Sequence, residues 1–146
     1  MVGGTSAGMA ALPEIMTMFQ DRQSAQKPAT AVAAHGLGLF NGAIVEQHFD
    51  GKGGRLERFT GLLRNSAELD VLSARPGSGA KMIGLAVEER TGLVVQGNRL
   101  TVVGLGNAHV FLKSSTGRTL VWHHMAPGES NELTRDAQGI PTLERD

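Results

Sequence analysis

Gly3-Gly4-Thr5-Ser6-Ala7-Gly8 leads into an Ala-, Met-, Leu- and Ile-rich run over residues 6–19. Glycines crowded ahead of such a run predict a tight turn feeding a helix, which Pro13 kinks or restarts one turn later. A second stretch, Ala43-Ile44-Val45-Glu46-Gln47-His48, begins as a short apolar run of the kind that forms a buried parallel strand. Its polar residues Glu46, Gln47 and His48 then fall at the strand's C-terminal end. Open α/β sheets bind ligands at that edge.

Between these stretches, residues 20–27 are polar and closed by Pro28, the composition of a surface loop. Residues 55–69 carry Leu56, Phe59, Leu62 and Leu63 at spacings that share one helix face. The cluster Arg75-Pro76-Gly77-Ser78-Gly79 ends that unit. Strand-like runs follow at 83–87, 92–95, 100–103, 108–112 and 119–122, with Gln96-Gly97-Asn98 and Ser115-Thr116-Gly117 as hairpin turns. No internal repeat is visible. The expected organisation is one domain over residues 1–126 and a polar, irregular tail over 127–146.

With 146 residues, 40% of them hydrophobic, the chain suits one hydrophobic core. Fourteen Lys and Arg balance 14 Asp and Glu, so no global field attracts nucleic acid or an anionic membrane surface. Cysteine is absent, which excludes disulfides and thiolate chemistry and agrees with a cytoplasmic location. No run reaches the roughly 18 apolar residues of a membrane helix. The expectation is therefore a protein without nucleic-acid or membrane partners, whose chemistry comes from hydroxyl, imidazole and carboxylate groups.

Gly4-Thr5-Ser6-Ala7-Gly8 fits G-x-S-x-G, in which small flanking residues permit a sharp turn that exposes a serine hydroxyl. Glycine-rich turns before helices also bind phosphate or simply cap. A serine needs a histidine to take its proton, and a carboxylate to orient that histidine. Five histidines compete. His48 ends the predicted strand at the ligand edge, whereas His35, His109, His123 and His124 read as structural or surface residues. Adjacent strand positions point to opposite faces, which disfavours His123 and His124 as joint metal ligands.

The Gly-Gly-Thr-Ser-Ala-Gly turn is followed by the Gly36-Leu37-Gly38-Leu39 run and by an acidic residue with Gln47-His48-Phe49. A basic cluster comes next, then Ile83-Gly84 with Glu88-Glu89 and Thr91. In order and spacing this series resembles the cyanophycinases and their dipeptidase relatives, from Gly3 to about Leu112. The resemblance implies an α/β fold, a three-layer sandwich similar to the class I glutamine amidotransferases (flavodoxin-like), here with a β-rich C-terminal part. It also implies a serine-type peptidase that cleaves β-Asp-Arg isopeptide linkages through a Ser-His-Glu triad and needs no metal or organic cofactor.

Carried over by motif, Ser6 is the nucleophile, His48 the general base and Glu89 the orienting acid, with Asp21 and Glu88 as rival acids. Glu46 and Gln47 match the substrate-pocket pair, with Glu where cyanophycinases usually show Asp. Lys52, Arg55 and Arg58 match the substrate-binding basic cluster, and lysine does not reproduce a bidentate arginine contact. In the resembling family the elbow falls mid-chain, so the N-terminal half of the sheet, with a loop of the oxyanion hole, is expected to be missing here. A truncated chain, one half of a split enzyme and a non-catalytic association module are the three readings of that beginning. A homodimer, or a partner supplying the missing half, is expected to cover the resulting sheet edge.

Overall fold

The computed structural model describes residues 1–18, 32–49, 55–75, 77–114 and 119–145. Strand β3 (Ala43–Glu46) pairs in parallel with β4 (Ile83–Val87), and β4 pairs antiparallel with β7 (Ala108–Lys113). The antiparallel β8 (Leu120–Met125) completes this sheet, ordered β3-β4-β7-β8. A second four-stranded sheet, ordered β10-β9-β6-β5, is built from β5 (Thr91–Gln96), β6 (Arg99–Gly104), β9 (Ser130–Arg135) and β10 (Pro141–Arg145). A two-stranded antiparallel ribbon joins β1 (Ile15–Met18) to β2 (Val32–His35).

The period-two alternation of the central strands divides the core into two layers. Ile44, Ala86 and Phe111 face one side and pack with Phe59, Leu62, Leu63 and Leu69. Those four residues come from helices α2 (Arg55–Arg64) and α3 (Ser66–Leu72), which are separated by the N-cap Asn65 accepting from Glu68 N–H at 3.3 Å. Ala43, Val45, Ile83, Leu85, Val87, Val110 and Leu112 face the other side, where Leu100 and Val102 of β6 meet them.

The second sheet therefore covers the face that a three-layer α/β sandwich gives to helices, and this overturns the expected fold class: the described residues are β-rich, with three small sheets and few helices. The physical reason is the apolar alternation of Leu93, Leu100, Val102, Leu133 and Leu143, which gives β-strands an inward face of their own.

Two local expectations fail as well. The helix expected over 6–19 stops after one turn, α1 (Ala7–Ala10), because Pro13 starts extended backbone that bridges to Phe40. The expected irregular tail is instead the β9–β10 hairpin. Asp136 Oδ1 accepts from Gln138 and Ile140 N–H at 2.9 Å each, closing a turn in which Gly139 has φ 81°. The turn at 115–117 and the loop at 20–27 lie outside the described residues.

Gly84 lets α2 approach β4. A Cβ placed there meets Phe59 Cε1 at 2.8 Å and Leu63 Cδ2 at 3.0 Å. Gly84→Ala is expected to destabilise the fold by about 1–3 kcal/mol through overpacking, read as a lower urea midpoint. An unchanged midpoint would show that α2 is not held where the packing puts it.

Lys113 is buried on the same side of the sheet, donating to Gly79 O at 2.7 Å and Ser66 Oγ at 3.0 Å. Burial lowers its pKa to about 8, with Asp70 opposing the shift. Between that value and an ordinary lysine value of about 10.4 the unfolded chain holds the additional proton, so stability rises with pH across this window. The chain has no Cys or Tyr to titrate there. The urea midpoint is expected to rise from about pH 8 to pH 10 in the wild type and to stay flat in Lys113→Met. A matching rise in the variant would contradict the assignment.

Candidate functional site

Ser6 sits immediately before α1 with φ 53° and ψ −127°. These are the angles of the first central position of a type II′ turn, which L side chains seldom occupy. The turn is held by Gly8 N–H on Thr5 O at 2.9 Å and Met9 N–H on Ser6 O at 3.0 Å. Gly4 is sterically required, because a Cβ there would lie 2.5 Å from Gly8 O. Gly8 faces open space, so the first glycine of the pentapeptide, and not the second, permits the turn.

His48 follows β3 with φ 51°. Its neighbour Phe49 is buried and donates its N–H to Val87 O at 2.9 Å, locking the exit of β3 to the end of β4. The Phe49 ring packs edge-on against Phe59 and Phe111 at centroid distances of 6.0 and 5.9 Å. Beyond β4, Thr91 Oγ1 donates to Glu89 O at 2.9 Å and accepts from Gly106 N–H at 2.9 Å. That corner carries Glu89.

Because β3 and β4 are parallel neighbours, these two exits stand side by side. Ser6 Oγ lies 3.1 Å from His48 Nε2, and His48 Nδ1 is hydrogen-bonded to Glu89 Oε1. A carboxylate accepting from Nδ1–H leaves Nε2 as the acceptor that faces the serine hydroxyl. Gln47 Oε1 stands 3.5 Å from the same hydroxyl. The side chains of His48 and Glu89 are 41% and 57% exposed, so the arrangement is open to solvent. It borders a cavity of about 730 Å³ whose walls include Ser6, Gln47, His48 and Glu89.

The other sequence-predicted residues are placed differently. Glu46 is buried on the opposite side of β3 from Val45, accepting from Gln47 N–H at 3.1 Å and Arg55 Nη1 at 3.3 Å. Burial raises its pKa, while Gln47 N–H and the charges of Arg55 and Arg58 pull it back. Arg55 Nη1 also donates to Gln47 O at 3.2 Å. Glu46, Arg55 and Arg58 thus form a cluster against the start of α2, and among the described residues Gln47 is the member of the predicted substrate-binding set that lines the cavity. Lys52 and Asp21 lie outside the described residues.

Glu88 turns away from His48. Its Oε2 pairs with His109 Nε2 at 2.7 Å, and His109 Nδ1 accepts from Trp122 Nε1 at 3.0 Å. The indole N–H only donates, so His109 is neutral, with its hydrogen on Nε2 directed at Glu88. Burial holds the His109 pKa below the ordinary range, against the pull of Glu88. Burial of Glu88 raises its pKa, and the hydrogen bonds from His109 and Asn107 outweigh that and lower it. Sequence reading left His109 as a structural strand residue, and its position in β7 beside Phe49 is the signal that ties it to the site, at a centroid distance of 5.1 Å.

His123 and His124 pair with Val110 and His109 across β7–β8 and alternate in direction. Among the described residues no cluster of three or more His, Asp or Glu is arranged to hold a metal ion, and no helix is long and apolar enough to cross a membrane. No protein-family model matches the chain, and no curated protein matches it.

Proposed function

We propose that this chain is a serine-type hydrolase acting on peptide, isopeptide or related acyl bonds through Ser6, His48 and Glu89. The observation that supports this reading is the continuous path from Ser6 Oγ to His48 Nε2, 3.1 Å, and from His48 Nδ1 to the Glu89 carboxylate. Ser6 Oγ attacks the carbonyl carbon as its proton passes to His48 Nε2. His48 then returns that proton to the leaving nitrogen or oxygen as the bond to it breaks, giving an acyl-serine. Water attacks the acyl-serine with His48 again as base, releasing the acid and restoring Ser6. Glu89 holds the imidazole in the productive tautomer and stabilises the imidazolium. The Ala7 amide, next after the nucleophile, supplies one donor to the oxyanion.

The motif resemblance extends this reading to β-Asp-Arg linkages and to a peptidase of the cyanophycinase type. A second reading, an association module, draws on the exposed apolar side chains Val94, Val103 and Leu105 around the β5–β6 hairpin. A homodimer through that hairpin would bury them.

Stopped-flow mixing with p-nitrophenyl acetate tests the hydrolase reading. The expected result is a burst of p-nitrophenol approaching one equivalent of protein, absent from Ser6→Ala. Turnover equal in wild type and Ser6→Ala would reject it.

A further inference from the structure

We infer that the site takes an apolar acyl group on the carbonyl side of the scissile bond, in place of the aspartyl group that the β-Asp-Arg extension would put there, an inference that rests on Ser6 being the acyl-transfer nucleophile. The cavity beside Ser6 continues the core between the two sheets. Leu85, Val87 and Leu93, with Met9 and Phe40, belong to the apolar cluster that fills that space, and the same side chains form the cavity wall.

Val95 lies two residues beyond Leu93 on the same strand face, yet it is 48% exposed. Leu39, on the facing loop, is 52% exposed. These are core-facing side chains left uncovered at the mouth of a cavity of about 730 Å³, a volume within the range of small-molecule sites.

The acidic groups along the wall are already engaged, Glu89 with His48 and Glu88 with His109. An anionic acyl group would face both carboxylates, and a cationic one would compete with the two histidines for them. Arg55 and Arg58, the cations expected to read a charged substrate, are not among the described residues that line this space; Arg90 does line it, next in the chain to Glu88 and Glu89, so two carboxylates stand beside that one cationic side chain. A neutral apolar chain gains the wall contacts and meets neither conflict.

The test is kcat/KM on p-nitrophenyl acetate, butyrate, hexanoate and hemisuccinate, for wild type, Ser6→Ala, Leu39→Asp and Val95→Asp. Each buried methylene contributes a factor of about four, so hexanoate, with four more methylenes, is expected to exceed acetate by about 250-fold, with hemisuccinate well below butyrate. Leu39 and Val95 are exposed enough that Asp does not threaten folding, and each substitution is expected to cut the hexanoate-over-acetate ratio by about tenfold. Ser6-dependent turnover with a flat chain-length series, or with hemisuccinate preferred, would overturn the apolar specificity and leave the hydrolase reading intact. Turnover of no ester above the Ser6→Ala background would overturn both.

Discussion

Ser6→Ala is expected to lower kcat by about 10³- to 10⁶-fold, because removing the nucleophile of a coupled triad leaves only binding and oxyanion stabilisation. Ser6→Gly should abolish turnover equally, yet the two variants should differ in stability. The backbone at Ser6, φ 53° and ψ −127°, is one that glycine adopts freely and alanine does not. Ser6→Gly is therefore expected to be more stable than Ser6→Ala by about 1 kcal/mol, the lower end of the range for such strain. Thermal and urea melts of the two variants check this. Equal stabilities would show that the turn relaxes without the hydroxyl, and so is not held by its surroundings. Ser6, strained and kept in place by Gly4 and the first turn of α1, is a position at which stability has been given up for an exposed hydroxyl.

The second large effect concerns two adjacent carboxylates. Glu89→Gln is expected to lower kcat by about 10⁴-fold with little change in stability. A glutamine amide can donate to His48 Nδ1 and so put the imidazole hydrogen on Nε2, where it faces Ser6 instead of accepting from it. Glu88→Gln is expected to change kcat by less than about tenfold, since an amide oxygen still accepts from His109 Nε2–H. Glu88→Ala, which leaves that buried donor without its acceptor, is expected to cost about 1–3 kcal/mol in stability. The reverse pattern, with Glu88→Gln inactive and Glu89→Gln active, would mean that Glu88 and not Glu89 orients His48.

These contrasts also mark what sequence could reveal. Residues 83–87 and 108–112 were legible as strands because each is a short β-branched and apolar run bounded by turn residues. Phe59, Leu62 and Leu63 gave α2 its buried face in the same way. The layer on the other side of the sheet was not legible. Periodicity shows that a strand has two buried faces but not whether helix or sheet covers each. The polar hairpin at the C-terminal end was missed because its apolar contribution to the core cluster is Leu133 and Leu143, set against a background of Glu, Thr and Arg.

In the site, the elbow spacing singled out Ser6, and the strand-end position singled out His48. The choice between Glu88 and Glu89 depended on a corner set by Arg90 at φ 54° and by the Thr91–Gly106 hydrogen bond, which composition does not encode. The basic cluster read as substrate-binding was ambiguous for a related reason. Arg55 reaches Glu46 and Gln47 O, a pairing across the end of β3 that linear spacing does not display.

The most direct measurement is the intact mass of the folded protein after exposure to a fluorophosphonate. Peptide mapping and the variants Ser6→Ala, His48→Ala and Glu89→Gln complete it. The expected result is a single adduct on Ser6, absent from Ser6→Ala and His48→Ala, and formed far more slowly in Glu89→Gln. Folded wild-type protein that takes up no adduct, or takes it up at another residue, would contradict the assignment of Ser6, His48 and Glu89 as an assembled catalytic triad.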